Sequence, residues 1–147
     1  MDTQTVFNYN LASKKKRLYA FLIDTLFSLA VGYILQYFLF NHSLDDFLTG
    51  ESPVFGFLFN SLMSLALGAI FYPLFSGNLG HKLLNIKVIN AKTGEDYTNF
   101  FEGGLREFLK NLSSNLIIPI VWLYFDKKKQ NLYDKVSKTY IVEKNKS

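Results

Sequence analysis

This chain of 147 residues contains no cysteine, only three prolines and only two arginines beside fourteen lysines. Without cysteine no disulfide can form, so thiol usage says nothing about the compartment. Charge is also missing from long stretches, because the apolar residues are concentrated in two long blocks and one shorter one. Such segregation is typical of an integral membrane protein rather than a soluble core, and the length allows one domain.

The two long apolar blocks predict transmembrane helices over about 18–40 and 53–75. The first follows four cations at 14–17, but it is too long for the apolar region of a signal peptide, and no small-x-small cleavage site closes it. We therefore expect a retained helix. The loop between the blocks carries acids and no Lys or Arg, whereas basic residues follow the second block. The positive-inside rule then predicts an inner-membrane protein with a cytoplasmic N-terminus.

A third hydrophobic region, at about 109–125, is shorter and contains Pro119. Arg106 and Lys110 lie before or at its start and three lysines follow it, so both flanks favour the cytoplasm. A re-entrant or interfacial segment satisfies these charges, although the length also allows a third crossing. The predicted fold is an all-α membrane protein with two full transmembrane helices, this third region and a small cytoplasmic β element.

The β element is predicted from two stretches. Residues 86–90 read as a strand, and a turn with Gly94 in a left-handed conformation predicts a hairpin to 97–98. Residues 138–144 alternate as a second strand that could pair with 86–90. Thr98 or Asn99 is predicted to cap the helix that follows. We expect residues 1–13 to be an N-terminal tail, 14–142 a membrane domain and 143–147 a C-terminal tail.

Asp24 is the one ionised side chain within the first span. A carboxylate inside hydrocarbon is costly, so it requires a partner. Arg17, about two helical turns earlier, points the same way and lies roughly 10 Å away along the axis. The planar guanidinium of Arg17 suits a partner that accepts two hydrogen bonds. The alternative is that Arg17 is an ordinary anchor whose side chain extends to the lipid headgroups. Candidate partners for Asp24 are Arg17, Arg106 or a backbone donor.

Small or polar residues recur at every fourth position of both predicted spans. They are Ala20, Asp24, Ser28, Gly32 and Gln36 in the first, and Gly56, Asn60, Ser64, Gly68 and Tyr72 in the second. Because lipid gives apolar helices no hydrophobic reason to pair, close approach at small residues and hydrogen bonds between helices supply one. We expect the two stripes to face each other, with Gly68 at the depth of Asp24.

Arg17, Asp24 and Asp134 together resemble the Arg-Asp-Asp signature of the RDD family of membrane proteins. Residues 79–88, LGHKLLNIKV, are similar to the family's segment after the second span, Arg106 to its third-region arginine, and 139–142 to its closing strand. The chain departs from the usual pattern at Asn78, His81, Asn85 and Tyr133. The resemblance implies a membrane protein of a family whose members are suggested to take part in transport, and some of them resemble cation/proton antiporters.

Two functions compete. In the first, Asp24 binds a cation or a proton, Arg17 tunes it, and neutral groups on the stripes supply oxygens. The transport-path candidates, which are also the helix-packing candidates, are Ser28, Gly32, Gln36, Asn60, Ser64 and Gly68. Two spans enclose little, so transport requires a homo-oligomer or a larger complex. In the second, the protein is a structural or accessory subunit whose ion pairs fix helix packing.

Residues for catalysis or metal binding are not recognisable in the sequence. We find no nucleophile–base arrangement, phosphate loop or ligand cluster, and His42 and His81 fall on opposite sides of the predicted membrane. We therefore expect no enzyme activity, no metal and no cofactor. The basic balance, net charge +4, is better matched to an anionic bilayer surface than to nucleic acid. The expected partners are the lipid bilayer, monovalent cations and protons.

Overall fold

The computed structural model describes residues 5–49, 53–114, 122, 125–126 and 129–144. Within these ranges the chain forms six helices and four short strands. The helices are α1 (Lys14–Phe40), α2 (Leu44–Thr49), α3 (Pro53–Phe75), α4 (Leu79–Leu83), α5 (Phe100–Ser114) and α6 (Leu132–Val136). The strands are β1 (Thr5–Val6), β2 (Tyr9–Asn10), β3 (Ile86–Asn90) and β4 (Thr139–Glu143). The mostly helical class predicted from the sequence is confirmed.

Two helical segments are long and apolar enough to cross a membrane, Lys14–Phe40 and Phe55–Leu83. Their mean hydropathies are 1.9 and 1.6, and only 17% of each apolar window is buried. A helix in a soluble core would be mostly buried, whereas these helices point Leu and Phe side chains outward, as contact with lipid requires. α1 has 27 residues, so it is about 40 Å long, and an about 30 Å hydrocarbon core fits within it.

α3 packs mainly against α5, and the two helices contact each other at glycines. A methyl group placed on Gly68 would lie 2.5 Å from the carbonyl oxygen of Gly103, and one on Gly104 would lie 2.9 Å from the carbonyl oxygen of Leu65. Hydrogen atoms in place of side chains thus let the two backbones approach closely. Asn99 directly precedes α5, and its side chain accepts from the N–H groups of Phe101 (2.9 Å) and Glu102 (3.2 Å), so the predicted cap is confirmed at Asn99.

The prediction that Gly68 faces the first helix is wrong. α1 instead makes its close contact with α4, where a methyl group on Gly80 would collide with the carbonyl oxygen of Ala20. The sequence stripes identified positions of close approach but not their partners, because several helices compete for each small residue.

The β element is confirmed in its main pairing. β3 pairs antiparallel with β4 in the register Ile86↔Glu143 to Asn90↔Thr139. The predicted hairpin to 97–98 is reduced to a bridge between Ile89 and Asp96, closed by a turn in which Gly94 has φ +76°. This left-handed conformation is the one expected for that glycine.

Residues 5–12, in the predicted N-terminal tail, pack on this sheet. β1 and β2 form a small hairpin, and the residues that follow reach β4. Leu11 bridges to Val142, and the N–H of Ala12 donates to the carbonyl of Ile141 at 2.9 Å. Ala12 and Val142 are fully buried. The sheet edge is therefore covered by the segment directly before α1, which fixes where α1 begins.

The course of the third hydrophobic region lies largely outside the described residues. α5 covers its first part, to Ser114, and the described chain resumes continuously at residue 129 before α6. The choice between a crossing and a re-entrant segment stays a prediction.

Candidate functional site

Asp24 is buried, with 5% of its surface exposed, and its two oxygens have different partners. Oδ1 accepts a hydrogen bond of 2.7 Å from the backbone N–H of Gly80. Oδ2 lies 3.2 Å from the ammonium of Lys110 and 3.7 Å from Nδ1 of His81. Of the candidate partners, the backbone donor is present, and the cation is a lysine from α5 instead of either arginine.

Both arginines bind Asp134, which is fully buried at the start of α6. Arg17 donates to Oδ2 and Arg106 to Oδ1, so each carboxylate oxygen has its own guanidinium. The backbone N–H of Asn131 also donates to Oδ2, at 2.9 Å. Burial alone would raise the pKa of Asp134, but the Arg17 and Arg106 guanidiniums and the Asn131 N–H hold it below its ordinary value.

All three nitrogens of the Arg106 guanidinium donate hydrogen bonds. Nη1 donates to the hydroxyl of Tyr72, Nη2 to Asp134, and Nε to the hydroxyl of Thr139 at 3.3 Å. The group also lies near two aromatic rings, 5.7 Å from the centroid of Tyr72 and 5.1 Å from that of Tyr133. A lysine ammonium cannot point donors in these fixed directions, which accounts for arginine at this position.

Glu107 joins the two sets of ion pairs. Its Oε1 accepts from the hydroxyl of Tyr72 (2.9 Å) and from Nη1 of Arg106 (3.3 Å), and its Oε2 lies 3.1 Å from the ammonium of Lys110. The result is one buried network in which acids and bases alternate, with three carboxylates and three cations. Its order is Asp24, Lys110, Glu107, Arg106, Asp134 and Arg17. The formal charges cancel, which makes burial of six ionised groups tolerable.

A partly open cavity of about 320 Å³ borders one end of this network, between α1, α3 and α5. Its charged lining comes from Asp24, Glu107 and Lys110. Hydroxyl and amide groups supply the neutral polar lining, from Thr25, Ser28, Asn60, Ser64, Asn78 and Asn111. Phenylalanine and leucine side chains form most of the remaining wall. The cavity therefore offers carboxylate and neutral oxygens to a small ligand within an apolar surround.

The structure brings together some of the predicted site residues and separates others. Ser28, Asn60 and Ser64 line the same cavity as Asp24, so two polar members of each stripe border one cavity. Gly32 and Gln36 are buried on α1 but are not among the described residues that line the cavity. Gly68 belongs to the α3–α5 contact. Asp134, Arg17 and Arg106 form the other end of the network.

Sequence reasoning missed Glu107 as a site residue and treated Lys110 only as a flanking charge. The available signal was their spacing, since a Glu followed by a Lys three positions later shares one helix face. That face is buried here, with Glu107 6% and Lys110 7% exposed. Asn78 was noted only as a departure from a family pattern. Nothing in the sequence indicates that its side chain borders a cavity.

Comparison with curated proteins and with solved structures gives no match. A scan against protein families matches the RDD family over residues 11–138. The match runs from the buried segment before α1 to the residue before β4, and it includes the whole charged network. With two helices that could span a membrane and a match over most of its length, the chain belongs to the RDD family.

Proposed function

We propose that this protein exchanges a monovalent cation for protons, using Asp24 as the binding group. The observation that carries the proposal is the cavity, in which the Asp24 carboxylate shares a wall with hydroxyl and amide oxygens. Hard cations prefer such oxygen ligands, and an apolar surround strengthens their attraction to a carboxylate. A carboxylate needed only for packing has no requirement for a neighbouring cavity.

Charge balance favours exchange over simple uptake. The six ionised groups already cancel, so an added cation would leave an uncompensated positive charge in a buried site. Release of one proton as one cation enters keeps the site neutral. Coupling between the two ions then follows from electrostatics without a large conformational change.

The proposal includes an assembly and an orientation. Two spans in one protomer cannot enclose a path, so we propose a homo-oligomer in the inner membrane with a cytoplasmic N-terminus. Because the chain has no cysteine, single cysteines at Lys15 and at Asp46 give clean reporters. A membrane-impermeant maleimide added to intact cells should label the second and not the first. The reverse pattern would contradict the orientation.

Reconstituted vesicles test the exchange. With a pH-sensitive dye inside, an imposed Na⁺, K⁺ or Li⁺ gradient should move protons in the wild type. Asp24→Asn should abolish the signal. Asp45→Asn is the matched control, since Asp45 is a solvent-exposed acid on α2 and its replacement should leave the exchange unchanged. Exchange by Asp24→Asn at the wild-type rate, or no exchange by the wild-type oligomer, would end the proposal.

A structural role is the second candidate, and a separate observation favours it. Arg17, Arg106 and Asp134 are almost completely buried, pair with one another, and are not among the described residues that line the cavity. We propose that this half of the network holds α1, α5 and α6 together. If purified protein carries no cation, this role extends to Asp24, and the protein is an accessory or assembly subunit.

A further inference from the structure

Lys110 occupies a position that suits a bound cation. Its ammonium lies 3.2 Å from Oδ2 of Asp24 and 3.1 Å from Oε2 of Glu107, and all three residues line the cavity. Two carboxylates from different helices thus converge on one positive charge. An ammonium ion and a partly dehydrated monovalent cation carry the same charge and take similar oxygen ligands.

Asn78 provides an independent sign of a ligand. It is the N-cap residue of α4, yet its side chain makes no capping hydrogen bond. The residue is only 6% exposed, and among the described residues its Oδ1 has no hydrogen-bond partner. Asn78 lines the same cavity as Lys110. A buried acceptor without a donor is costly, and the carbonyl oxygen of an amide is a good cation ligand.

We propose that the Lys110 ammonium is an internal cation in a site formed by Asp24, Glu107 and Asn78, and that a monovalent cation from the cavity competes with it. This proposal rests on the proposed function in one respect, because it assigns the exchange to this site. It adds the competing group, the second carboxylate and the neutral ligand.

The surroundings of Lys110 explain why a second cation must displace it. Asp24 and Glu107 place their carboxylates against the ammonium, and Arg106 already lies 3.3 Å from the other oxygen of Glu107. A further positive charge added to this buried site would be uncompensated. A cation that binds these carboxylate oxygens therefore requires the ammonium to leave them.

The other titratable groups around Lys110 fit this scheme. His81 of α4 approaches Asp24, while Tyr72 of α3 binds Glu107. Tyr133 of α6 is buried, and burial together with Asp134 raises its pKa, so it stays neutral at physiological pH. Lys110 is therefore the cation that the two carboxylates hold at the cavity wall.

Lys110→Met tests the site without any transport assay, because it keeps the side-chain length and removes the charge. Purified Lys110→Met should be less heat-stable than the wild type, since two buried carboxylates lose a partner. NaCl, KCl or LiCl should restore it, raising Tm by about 5 °C or more over N-methylglucamine chloride at equal ionic strength. Lys92→Met, at an exposed turn position, should show no cation-specific shift.

The double variant Asp24→Asn/Lys110→Met should fold without responding to the cation, because the main ligand is gone. The same shift in the double variant would overturn the proposal, as would the lack of any cation-specific shift in Lys110→Met. Failure of Lys110→Met to fold in all three salts would also overturn it, because a fitting cation should replace the lost charge.

The neutral ligand provides a second measurement. In the Lys110→Met protein, Asn78→Ala should weaken cation binding at least several-fold, measured as the salt concentration that gives half of the rise in Tm. Unchanged binding would overturn the part of the proposal that includes Asn78 in the site. Fully coupled exchange by Lys110→Met would remove Lys110 from the mechanism and leave the proposed function intact. Cation rescue of Lys110→Met without any wild-type flux would support the site and reject transport.

Discussion

The carboxylate of Asp24 and the ammonium of Lys110 lie 3.2 Å apart, although 86 positions separate them in the sequence. This pair joins α1 to α5, and through Glu107 it joins both to Tyr72 on α3. An acid within an apolar helix is thereby neutralised by a helix that comes much later in the chain. The pairing makes α5 part of the site.

Replacement of Asp134 should destabilise the fold strongly. Asp134→Asn leaves Arg17 and Arg106 buried beside a neutral amide, and loss of one member of a buried ion-pair set typically costs about 3–5 kcal/mol. Thermal or denaturant unfolding in detergent measures the change. Asp96→Asn is the control, since the exposed Asp96 pairs with the partly buried Lys87 at 2.5 Å at the surface, and a surface pair contributes about 0–1 kcal/mol. Equal effects of the two substitutions would contradict the structural role of Asp134.

Acid should weaken the fold in a way that depends on Asp134. Its folded-state pKa lies below the ordinary 3.8, so its contribution to stability is complete above the unfolded value and is lost as pH falls through the folded value. The free energy of unfolding should therefore decline below roughly pH 4. Asp134→Asn should show a shallower decline. Identical slopes for the two proteins from pH 5 to pH 2 would show that Asp134 is not the responsible carboxyl.

Arginine at position 106 should not be replaceable by lysine. Arg106→Lys keeps the charge but loses the fork that reaches Tyr72, Asp134 and Thr139 together, so we expect a loss of about 2 kcal/mol or more. Lys87→Arg, at a partly exposed surface pair, should change stability by less than about 0.5 kcal/mol. Unfolding measurements on both variants decide the point, and a neutral Arg106→Lys would show that the charge alone suffices.

Glycine at position 68 should be required for the contact between α3 and α5. Gly68→Ala places a methyl group 2.5 Å from the carbonyl oxygen of Gly103, so we expect destabilisation of about 1–3 kcal/mol. Gly56→Ala is matched on the same helix, but among the described atoms nothing lies within 4 Å of the added methyl. It should be neutral or stabilise by up to about 1 kcal/mol through helix propensity. If Gly56→Ala destabilised the protein more than Gly68→Ala in an unfolding assay, α5 would not pack against α3 at Gly68.

Much of the architecture was predictable from local patterns. The long apolar blocks predicted both candidate spans, and alternation in 138–144 predicted the β3–β4 pair. The turn at Gly94 and a helix cap at Thr98 or Asn99 were recognisable because left-handed turns and capping depend on one residue and its immediate neighbours. These features were accessible since the physical cause and the residue lie close together in the chain.

Partners within the membrane domain were not predictable in the same way. The stripe of small and polar residues at every fourth position of α3 marked Gly68 as a position of close approach. The helix that packs on Gly68 is α5 instead of α1. Arg17 was expected to be a candidate partner for Asp24, two turns away, yet it reaches Asp134. Local spacing shows which groups share a helix face and does not show which helix lies opposite.

The sequence by itself determined that two helices are apolar enough to span a membrane, that one of them contains an acid, and that the chain resembles the RDD family. Hydrophobicity and charge are properties of individual residues, so they can be determined from the sequence without coordinates. The tertiary structure alone decided that Lys110 neutralises Asp24, that both arginines share Asp134, and that Glu107 links the two sets. Such pairings depend on how α1, α3, α5 and α6 pack, and packing is set by all the contacts at once.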